Sequence, residues 1–596
     1  MCRIAGIIDQ NAKPDQLEKD IKLMCDSMQH GGLDDEGFYA DDSIGLRFGH
    51  RRLALIDLSS GGHQPMQTSG KAFIVTFNGE IYNFREIKAE LSALGYQFHS
   101  ASDTEVILAA FQIWGISSFK KLNGMFAFAI HDQTKQLTYL VRDPSGIKPL
   151  YYSAQQNRLV FSSEVKAFEK TSYPYGEEPK WKIYFLAFGH IPQPFTTLEA
   201  VFSLKPGNFL TWNHQQQTYE ITSFEKARPG KTITSTIEAA DHVNHQLEHA
   251  VNRHLIADAP IGLFLSGGID SSIITLLADK KTGQNLNSLS INFGEKAFSE
   301  EKYQQLITSK TSGVHQSYLV QEQDLNTSFD TIMQAMDQPT NDGINSWFVN
   351  KFAKESGLKA VLSGIGADEL LGGYPSFNRM GIIKALKMLP PFILRFCGKL
   401  PSEKLKRIYY LSYRNPIGEY LFLRGFYIPE AIAQILNISE KEIDQLFEDF
   451  PIDEEVNQLS GAERACWFET HIFMQNQLLK DTDFMSMSHG IEVRVPFLDQ
   501  NFLKTIDGIA PRQRFPAREK GLLIDAFKNI LPEAVWNRPK MGFSFPLQQW
   551  FIKGDQISNE QLYAENAFAK QQIRKFKAGK MHWSKAFALY QVFRKT

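Results

Sequence analysis

Cys2 offers the sharpest chemical option in this chain. It is one of only four cysteines, with Cys25, Cys397 and Cys466, and it directly follows the initiator methionine. Removal of Met1 places a thiol and a free α-amine on one residue. An α-amine with a pKa of ~7.7–8 accepts a proton from that thiol near neutral pH, so one residue holds both nucleophile and base. The plainer reading of Cys2 is a small buried residue opening a strand. Three other segments carry matching chemistry. His50-Arg51-Arg52-Leu53 presents a guanidinium fork suited to a carboxylate. Phe77-Asn78-Gly79-Glu80 follows a strand-like run. There the Asn78 amide and the Gly79 N–H suit an oxyanion hole, and Glu80 suits a substrate ammonium. Ser102-Asp103-Thr104-Glu105 adds a second acid. Taken singly, the arginine reads as a surface ion pair, Asn-Gly as a turn and Asp103 as a helix cap.

A second constellation lies near the middle of the chain. Leu263-Phe264-Leu265-Ser266-Gly267-Gly268-Ile269-Asp270-Ser271-Ser272 reads as an apolar strand, a Ser-Gly-Gly turn and a helix starting near Asp270. Glycines let backbone N–H groups approach phosphate oxygens, and the helix N-terminus adds a favourable dipole. Asp270 beside a phosphate is repelled unless it holds Mg²⁺. The spacing is neither a Walker A loop nor G-x-G-x-x-G. Leu362-Ser363-Gly364-Ile365-Gly366-Ala367-Asp368-Glu369 repeats the strand–turn pattern, with Asp368 as the natural second Mg²⁺ carboxylate.

The elements that must position these groups fall into two styles. Before residue ~210, short apolar runs broken by turns (Phe73–Phe77, Met125–Ile130, Thr138–Val141, Leu159–Ser162) predict strands, and helical patterns follow Asp15, Asn83 and Asp103. Residues 211–235 are polar and read as a linker or peripheral hairpin. From Ile237 onward helices alternate with the strands Ile261–Leu265, Ser288–Phe293, Ser317–Val320 and Ala360–Ser363, a parallel α/β pattern whose ligands sit beyond the strands' carboxyl ends. Residues 378–596 read as mainly helical.

The chain has 596 residues, 43% of them hydrophobic and 22% charged, enough for a core without disulfide or metal support. Its formal charge is −2, which gives no general attraction for nucleic acid or anionic membrane but leaves room for a local basic patch. No signal peptide and no spanning segment is recognisable. Met380–Leu400 comes nearest, but Lys384, Lys387 and Arg395 interrupt it and Pro390-Pro391 breaks it. The expectation is a cytoplasmic enzyme acting on small molecules, with no nucleic-acid or membrane partner, and with a homodimer left open.

The first half resembles the class II glutamine amidotransferase domain. The matching stretches are Met1–Gly6, Gly49–Leu53, His63-Gln64-Pro65, Asn78–Asn83, Ser102–Ile107, Gly124–Ala129 and Gly146–Tyr152. The resemblance implies an α+β N-terminal-nucleophile fold with αββα layers over residues 2–210. It implies that Cys2 attacks the side-chain amide of glutamine, that Arg52 and Asp103 hold the amino-acid end with Glu80 near its ammonium, and that Asn78 and Gly79 stabilise the oxyanion. Ammonia leaves, and water hydrolyses the glutamyl thioester.

The Ser-Gly-Gly turn resembles the pyrophosphate loop of ligases that cleave ATP to AMP and pyrophosphate. Together with Met485-Ser486-Met487, Glu492–Asp499 and Arg538-Pro539-Lys540-Met541-Gly542-Phe543, it makes nearly the whole chain resemble the glutamine-hydrolysing asparagine synthetase family. That implies an α/β ATP-pyrophosphatase domain over residues 235–596 with a helical C-terminal part. It implies ATP contacts from Leu265, Ser266, Gly267, Gly268, Asp270, Ser271, Ser272, Ser363 and Gly364, Mg²⁺ on Asp270 and Asp368, and a catalytic Lys540. A carboxylate would attack ATP to give an acyl-adenylate, and ammonia would displace AMP.

Three segments depart from the family pattern. His30-Gly31-Gly32-Leu33-Asp34-Asp35 stands where the family has His-Arg-Gly-Pro-Asp-Asp, and Arg142-Asp143-Pro144-Ser145 where it has Arg-Asp-Arg-Phe. Ile365 stands where asparagine-forming members carry a glutamate that handles protons at the acceptor, which isoleucine does not do. Asp342, in Asn341-Asp342-Gly343, is a candidate replacement, with a turn-forming Asp-Gly as the plainer reading. The leading expectation is aspartate as acceptor, giving asparagine. The alternatives are the same chemistry on another carboxylate, such as a sugar uronate or secondary metabolite, and a non-catalytic nucleotide- or glutamine-sensing protein.

Overall fold

The computed structural model describes residues 2–224, 230–539 and 541–594. Lys540 therefore lies outside the described residues. Two six-stranded antiparallel sheets form the first half. One runs, edge to edge, Phe202–Ser203, Tyr151–Gln155, Arg158–Ser162, Arg3–Ile8, Leu46–Arg52 and Asp35–Asp41; the other runs Thr218–Ser223, Asn208–Asn213, Leu137–Arg142, Gly124–Asp132, Phe73–Ile81 and Met66–Gln67.

Alternation along each strand sets the layers. Ile4 and Ile8 point between the sheets, against Ile74, Ala127, Ala129 and Leu140 of the other sheet. Their neighbours Ala5 and Ile7 point outward onto Leu17, Ile21 and Met24 of the helix Pro14–Ser27. On the far side Val75 and Phe77 meet Ile87, Leu91 and Val106 from the helices Phe84–Ala93 and Asp103–Trp114. The result is a helix–sheet–sheet–helix stack. Its edge hairpin, Asn208–Asn213 with Thr218–Ser223, carries the second sheet past residue 210 to Ser223.

One sequence expectation is corrected here. Asn78-Gly79 does not follow a strand as a turn. The strand continues to Ile81, with Asn78 opposite Ala127 and Gly79 opposite Phe126. Cross-strand pairing with the long strand Gly124–Asp132 overrides the local turn preference. Gly79 has φ +149, and a Cβ there would sit 2.0 Å from the Met125 carbonyl oxygen, so the close approach requires glycine.

The second half is built on a five-stranded parallel sheet, in the order Val314–Val320, Asn287–Phe293, Ile261–Phe264, Ala360–Leu362, Glu492–Arg494. The last of these strands is the one sequence reading left out. It is only three residues long, too short to show a period. Ile261–Phe264 and Ala360–Leu362 are hydrogen-bonded neighbours, so the two glycine-rich turns that leave them lie side by side at one edge. Helices Ile269–Thr282 and Ala367–Leu371 start directly after those turns. Beyond Pro375 the structure is mostly helical, as its pattern predicts.

The halves meet through buried charge. Arg3, next to Cys2, donates to Glu164 at 2.7 Å and to Asp483 at 2.8 Å. Asp483 lies on the helix Leu479–Met487 of the second half and also faces Lys148 at 3.4 Å. Asn123 of the first half donates to Asp499, which in turn takes the Arg253 guanidinium at 2.7 Å.

Candidate active sites

The first candidate site gathers at the start of the strand Arg3–Ile8. Cys2 is buried, and its Sγ faces the Leu53 carbonyl at 4.0 Å. Burial pushes its thiol up to about 11, against the pull of the Arg52 charge, while the Glu80 charge pushes it further up. Arg52 is held by backbone carbonyls: it donates to Ser59 O at 2.9 Å and to Asp57 O. Both carbonyls are neutral, so its charge remains uncompensated by this pair of bonds.

Asn78 is fully buried and its amide Nδ2 faces Ser163 Oγ at 3.5 Å. The same Ser163 hydroxyl accepts from the Ile4 backbone N–H at 3.0 Å, which ties Asn78 to the strand that carries Cys2. Asp103, at the first turn of its helix, accepts from the Ile81 N–H at 3.0 Å. Burial raises the Asp103 carboxyl to about 6, although that hydrogen bond opposes the shift. Glu80 sits with its Oε1 3.5 Å from Arg494 of the second half, while Oε2 is buried without a hydrogen-bond partner among the described residues. Burial and the neighbouring Glu492 hold the Glu80 carboxyl well above the usual carboxylate range. An orphaned buried acceptor beside a cysteine is what a donor group on a ligand would satisfy.

The second candidate site is a cavity of about 580 Å³ over the two glycine-rich turns. Ser266, Gly268, Asp270, Ser271, Ser363, Gly364, Ile365 and Asp368 all line it. Gly267 has φ +86, which turns the loop tightly into the helix. Inside the loop the Ser266 N–H donates to Ser271 Oγ at 3.2 Å and the Gly268 N–H to Ser266 Oγ at 3.3 Å. Ser272 Oγ is buried with no partner among the described residues. Leu265 lines the cavity although it is almost wholly buried, and its N–H completes the sheet to Leu289 O at 2.8 Å. Gly364 lets the second turn close on the first, because a Cβ there would lie 2.9 Å from Asp270 Cβ.

Asp270 and Asp368, one from each turn, converge on a single ammonium. Lys520 Nζ is 2.5 Å from each carboxylate. Burial pushes the lysine pKa down, but the two carboxylates outweigh it and hold the ammonium above the ordinary lysine range. Two carboxylates meeting at one positive charge, on the wall of one cavity, also fit a divalent cation with oxygen ligands. Arg538 approaches from the other side, donating to the Gly267 carbonyl at 3.0 Å and to Glu300 at 2.6 Å. Met541, Gly542 and Phe543 line the cavity too.

Lys520 escaped sequence reading. Arg518-Glu519-Lys520-Gly521 looks like a solvated charge run, and the one local hint, the left-handed φ of +51 at Lys520, is invisible in the sequence. Arg494 also escaped as a connector. Its backbone carbonyl accepts from the Ser363 N–H at 2.8 Å, while its side chain lies between Glu492 and Glu80. Met485 and Met487 are core residues, fully buried.

Two further carboxyl groups line the cavity away from the turns. Asp342 opens the helix Ile344–Glu355 through the positive-φ Gly343, so the turn reading and the cavity placement both hold. Asp481 Oδ2 accepts from Thr340 Oγ1 at 2.8 Å, and that same hydroxyl accepts from the Asp342 N–H at 3.2 Å. Burial, then the Asp342 charge, raises Asp481 well above the carboxylate range; burial also raises Asp342. Asn350, 1% exposed, turns onto the cavity with its Oδ1 unpartnered among the described residues.

Residues 242–589 match the family model described as asparagine synthase, and residues 1–224 match the glutamine amidotransferase domain. A glutamine-hydrolysing asparagine synthetase 1 from Bacillus subtilis (strain 168) is 30% identical over 565 residues, covering 92% of this chain and 88% of its own. A glutamine-hydrolysing asparagine synthetase 3 from the same strain is 26% identical, covering 93% of this chain and 88% of its own. A protein named amidase chry2, from Gibberella zeae, is 26% identical and covers 92% of this chain and 90% of its own.

Proposed function

The chain belongs to the asparagine synthase family, joined here to a glutamine amidotransferase domain, and from that premise we propose how its two sites share one reaction. It is a carbon–nitrogen ligase that takes its nitrogen from glutamine, and its family uses ATP. With Met1 removed, Cys2 Sγ attacks the glutamine side-chain amide while the Cys2 α-amine takes the thiol proton. Burial disfavours a free thiolate, so the proton leaves to the α-amine as the sulfur attacks. Asn78 Nδ2 and the Gly79 N–H hold the oxyanion. Arg52 holds the substrate carboxylate and Asp103 its ammonium, with Glu80 Oε2 near that ammonium as a further hydrogen-bond acceptor. Ammonia leaves, and water releases glutamate.

In the cavity, the carboxylate of an acceptor attacks the α-phosphorus of ATP, and pyrophosphate leaves into the turn formed by Ser266, Gly267, Gly268, Ser271 and Ser272. Asp270 and Asp368 would hold Mg²⁺, which supplies charge neutralisation at the phosphates. Lys520 supplies a positive charge at the same place, and Lys540 is the further lysine that the family resemblance implies. Ammonia then attacks the acyl carbon of the adenylate, and AMP departs.

Asp103 gives this reading a pH signature. Only the ionised carboxyl attracts an ammonium. The Cys2 α-amine, with a pKa of ~7.7–8, already makes kcat/KM for glutamine rise between pH 5 and pH 7; Asp103, with its pKa at about 6, steepens that rise by about a further tenfold, and Asp103→Asn is expected to remove this steeper part. A glutaminase pH profile of both proteins checks it; an unchanged limb in the variant removes Asp103 from the glutamine site.

The acceptor is the finer question. One observation carries our reading. Two carboxyl groups, the buried Asp481 and the half-buried Asp342, line the cavity away from the turns, and the described cations that line it, Arg518, Lys520 and Arg538, are already paired with Asp525, Asp270 and Glu300. Such a wall accepts hydroxyl or ammonium donors and disfavours a second carboxylate. The acceptor is therefore a monocarboxylic acid bearing hydroxyl or amine groups, a uronate-like or amino-acid-like compound. Aspartate is the second reading, favoured by the names of the relatives. Pyrophosphate release with ATP, Mg²⁺ and glutamine, screened across carboxylic acids, separates them. We expect a hydroxylated or amino monocarboxylate to exceed aspartate at least about tenfold. Aspartate as best substrate overturns that reading. No release with any acid, and no glutamine hydrolysis, would leave only the sensing alternative.

A further inference from the structure

The segment that came nearest to a membrane span has no place in the chemistry above. It folds as the helix Pro375–Leu386, a break at Pro390-Pro391 and the short helix Pro391–Phe396. Among the described residues no helix is long and apolar enough to cross a membrane. Yet the segment leaves large apolar side chains in the open: Met388 is 83% exposed, Phe392 71%, Phe396 64% and Ile382 53%, with Leu389 and Ile393 beside them. Elsewhere exposed apolar residues are mostly scattered singly; here they crowd into fifteen positions, 382–396. A contiguous apolar strip of this kind marks a docking surface.

Its charge names the occupant. Residues 375–407 contain eight lysines or arginines and one acid, Glu403, in a chain whose net charge is −2. Arg379, Lys384, Lys399 and Lys404 are exposed, and none has a hydrogen-bond or ion-pair partner among the described residues. We infer that this strip seats on an anionic lipid surface, with Phe392, Phe396 and Met388 entering the headgroup boundary and the cations lying against lipid phosphates. Exposed large apolar side chains set among lysine and arginine suit a surface that joins an apolar headgroup boundary to anionic phosphates. Protein–protein interface cores are instead depleted in lysine. A second copy fits worse, because a two-fold contact of the strip with itself brings like charges together. The near-neutral charge of the whole chain conceals the patch, since acids elsewhere balance it. Helix Pro375–Leu386 begins at Tyr374 on the cavity wall and reaches the strip over about 18 Å, from 1.5 Å per residue.

Co-sedimentation of the full chain with phosphatidylcholine vesicles, with and without phosphatidylglycerol, tests this. Binding is expected to need phosphatidylglycerol and to weaken as salt rises. It should fall about tenfold in F392S/F396S and at least about 25-fold in K384E/K399E, each lysine near the surface being worth roughly fivefold. Glutamine hydrolysis, retained in both variants, shows that they are folded. Absence of binding to phosphatidylglycerol vesicles overturns the inference, as does undiminished binding by either variant. Sedimentation velocity without lipid covers the remaining case: a dimer that F392S/F396S dissolves makes the strip a contact between copies, and overturns it too.

Discussion

Replacing Cys2 with alanine is expected to abolish glutamine-dependent amide formation, a loss of at least about 10³-fold, while ammonia added directly still supports it. The size of the loss follows from the role proposed for Cys2: Arg52, Asn78 and Glu80 position and polarise, and none of them can take over the attack. The split between nitrogen sources follows from the fold. Cys2 opens a strand of the first sandwich, whereas the nucleotide turns belong to the parallel sheet of the second half. The variant keeps Arg3 and therefore the contact with Asp483, so the two halves stay docked. Steady-state amide formation with glutamine and with ammonium chloride, beside direct glutaminase assays, measures this. Glutamine use surviving in Cys2→Ala would end the nucleophile assignment.

The second large effect concerns Lys520. Lys520→Ala is expected to lower pyrophosphate release at least about 10²-fold, the usual cost of removing one charge aimed at a reacting centre, with glutamine hydrolysis intact. The lysine is held between Asp270 and Asp368 at 2.5 Å from each. Removing it leaves two carboxylates facing phosphates with their own charge uncovered. A counter-ion role and a role at the phosphates differ in one readout. If Lys520 merely separates the carboxylates, raising Mg²⁺ restores the rate in Lys520→Ala. If it acts on the phosphates, Mg²⁺ does not restore it. Arginine is a poor substitute, because space is short: a Cβ on Gly373 would already come within 2.5 Å of Lys520 Cε.

The two glycine-rich turns were legible in sequence as strand–turn–helix units because their signal is local. A strand, two glycines and a helix start within ten residues fix the loop, and Ser266, Gly268 and Ser271 then bond among themselves. Cys2 was legible through rarity and position. The local shape of Asn78-Gly79 was misread, since the pairing partners Ala127 and Phe126 lie about fifty residues away. Lys520 was illegible for the same reason: its partner Asp270 is 250 positions distant, and only the folded sheet brings them together. The acidic wall of Asp342 and Asp481 was half legible. Asp342 stood out beside its glycine, but Asp481 lies in a run of helix where nothing marks it, and Thr340 joins the two only in space.

Arg3 has a bearing on inheritance as well as on packing. The residue after Cys2 is fully buried and gripped on one side by Glu164 of its own half and on the other by Asp483 of the second. An amidotransferase half transplanted onto a foreign synthetase would arrive with that guanidinium lacking one of its two anions, beside Cys2. The halves are thus poor building blocks for recombination: a lineage that alters position 483 must alter position 3 in step, and each half carries part of the other's history.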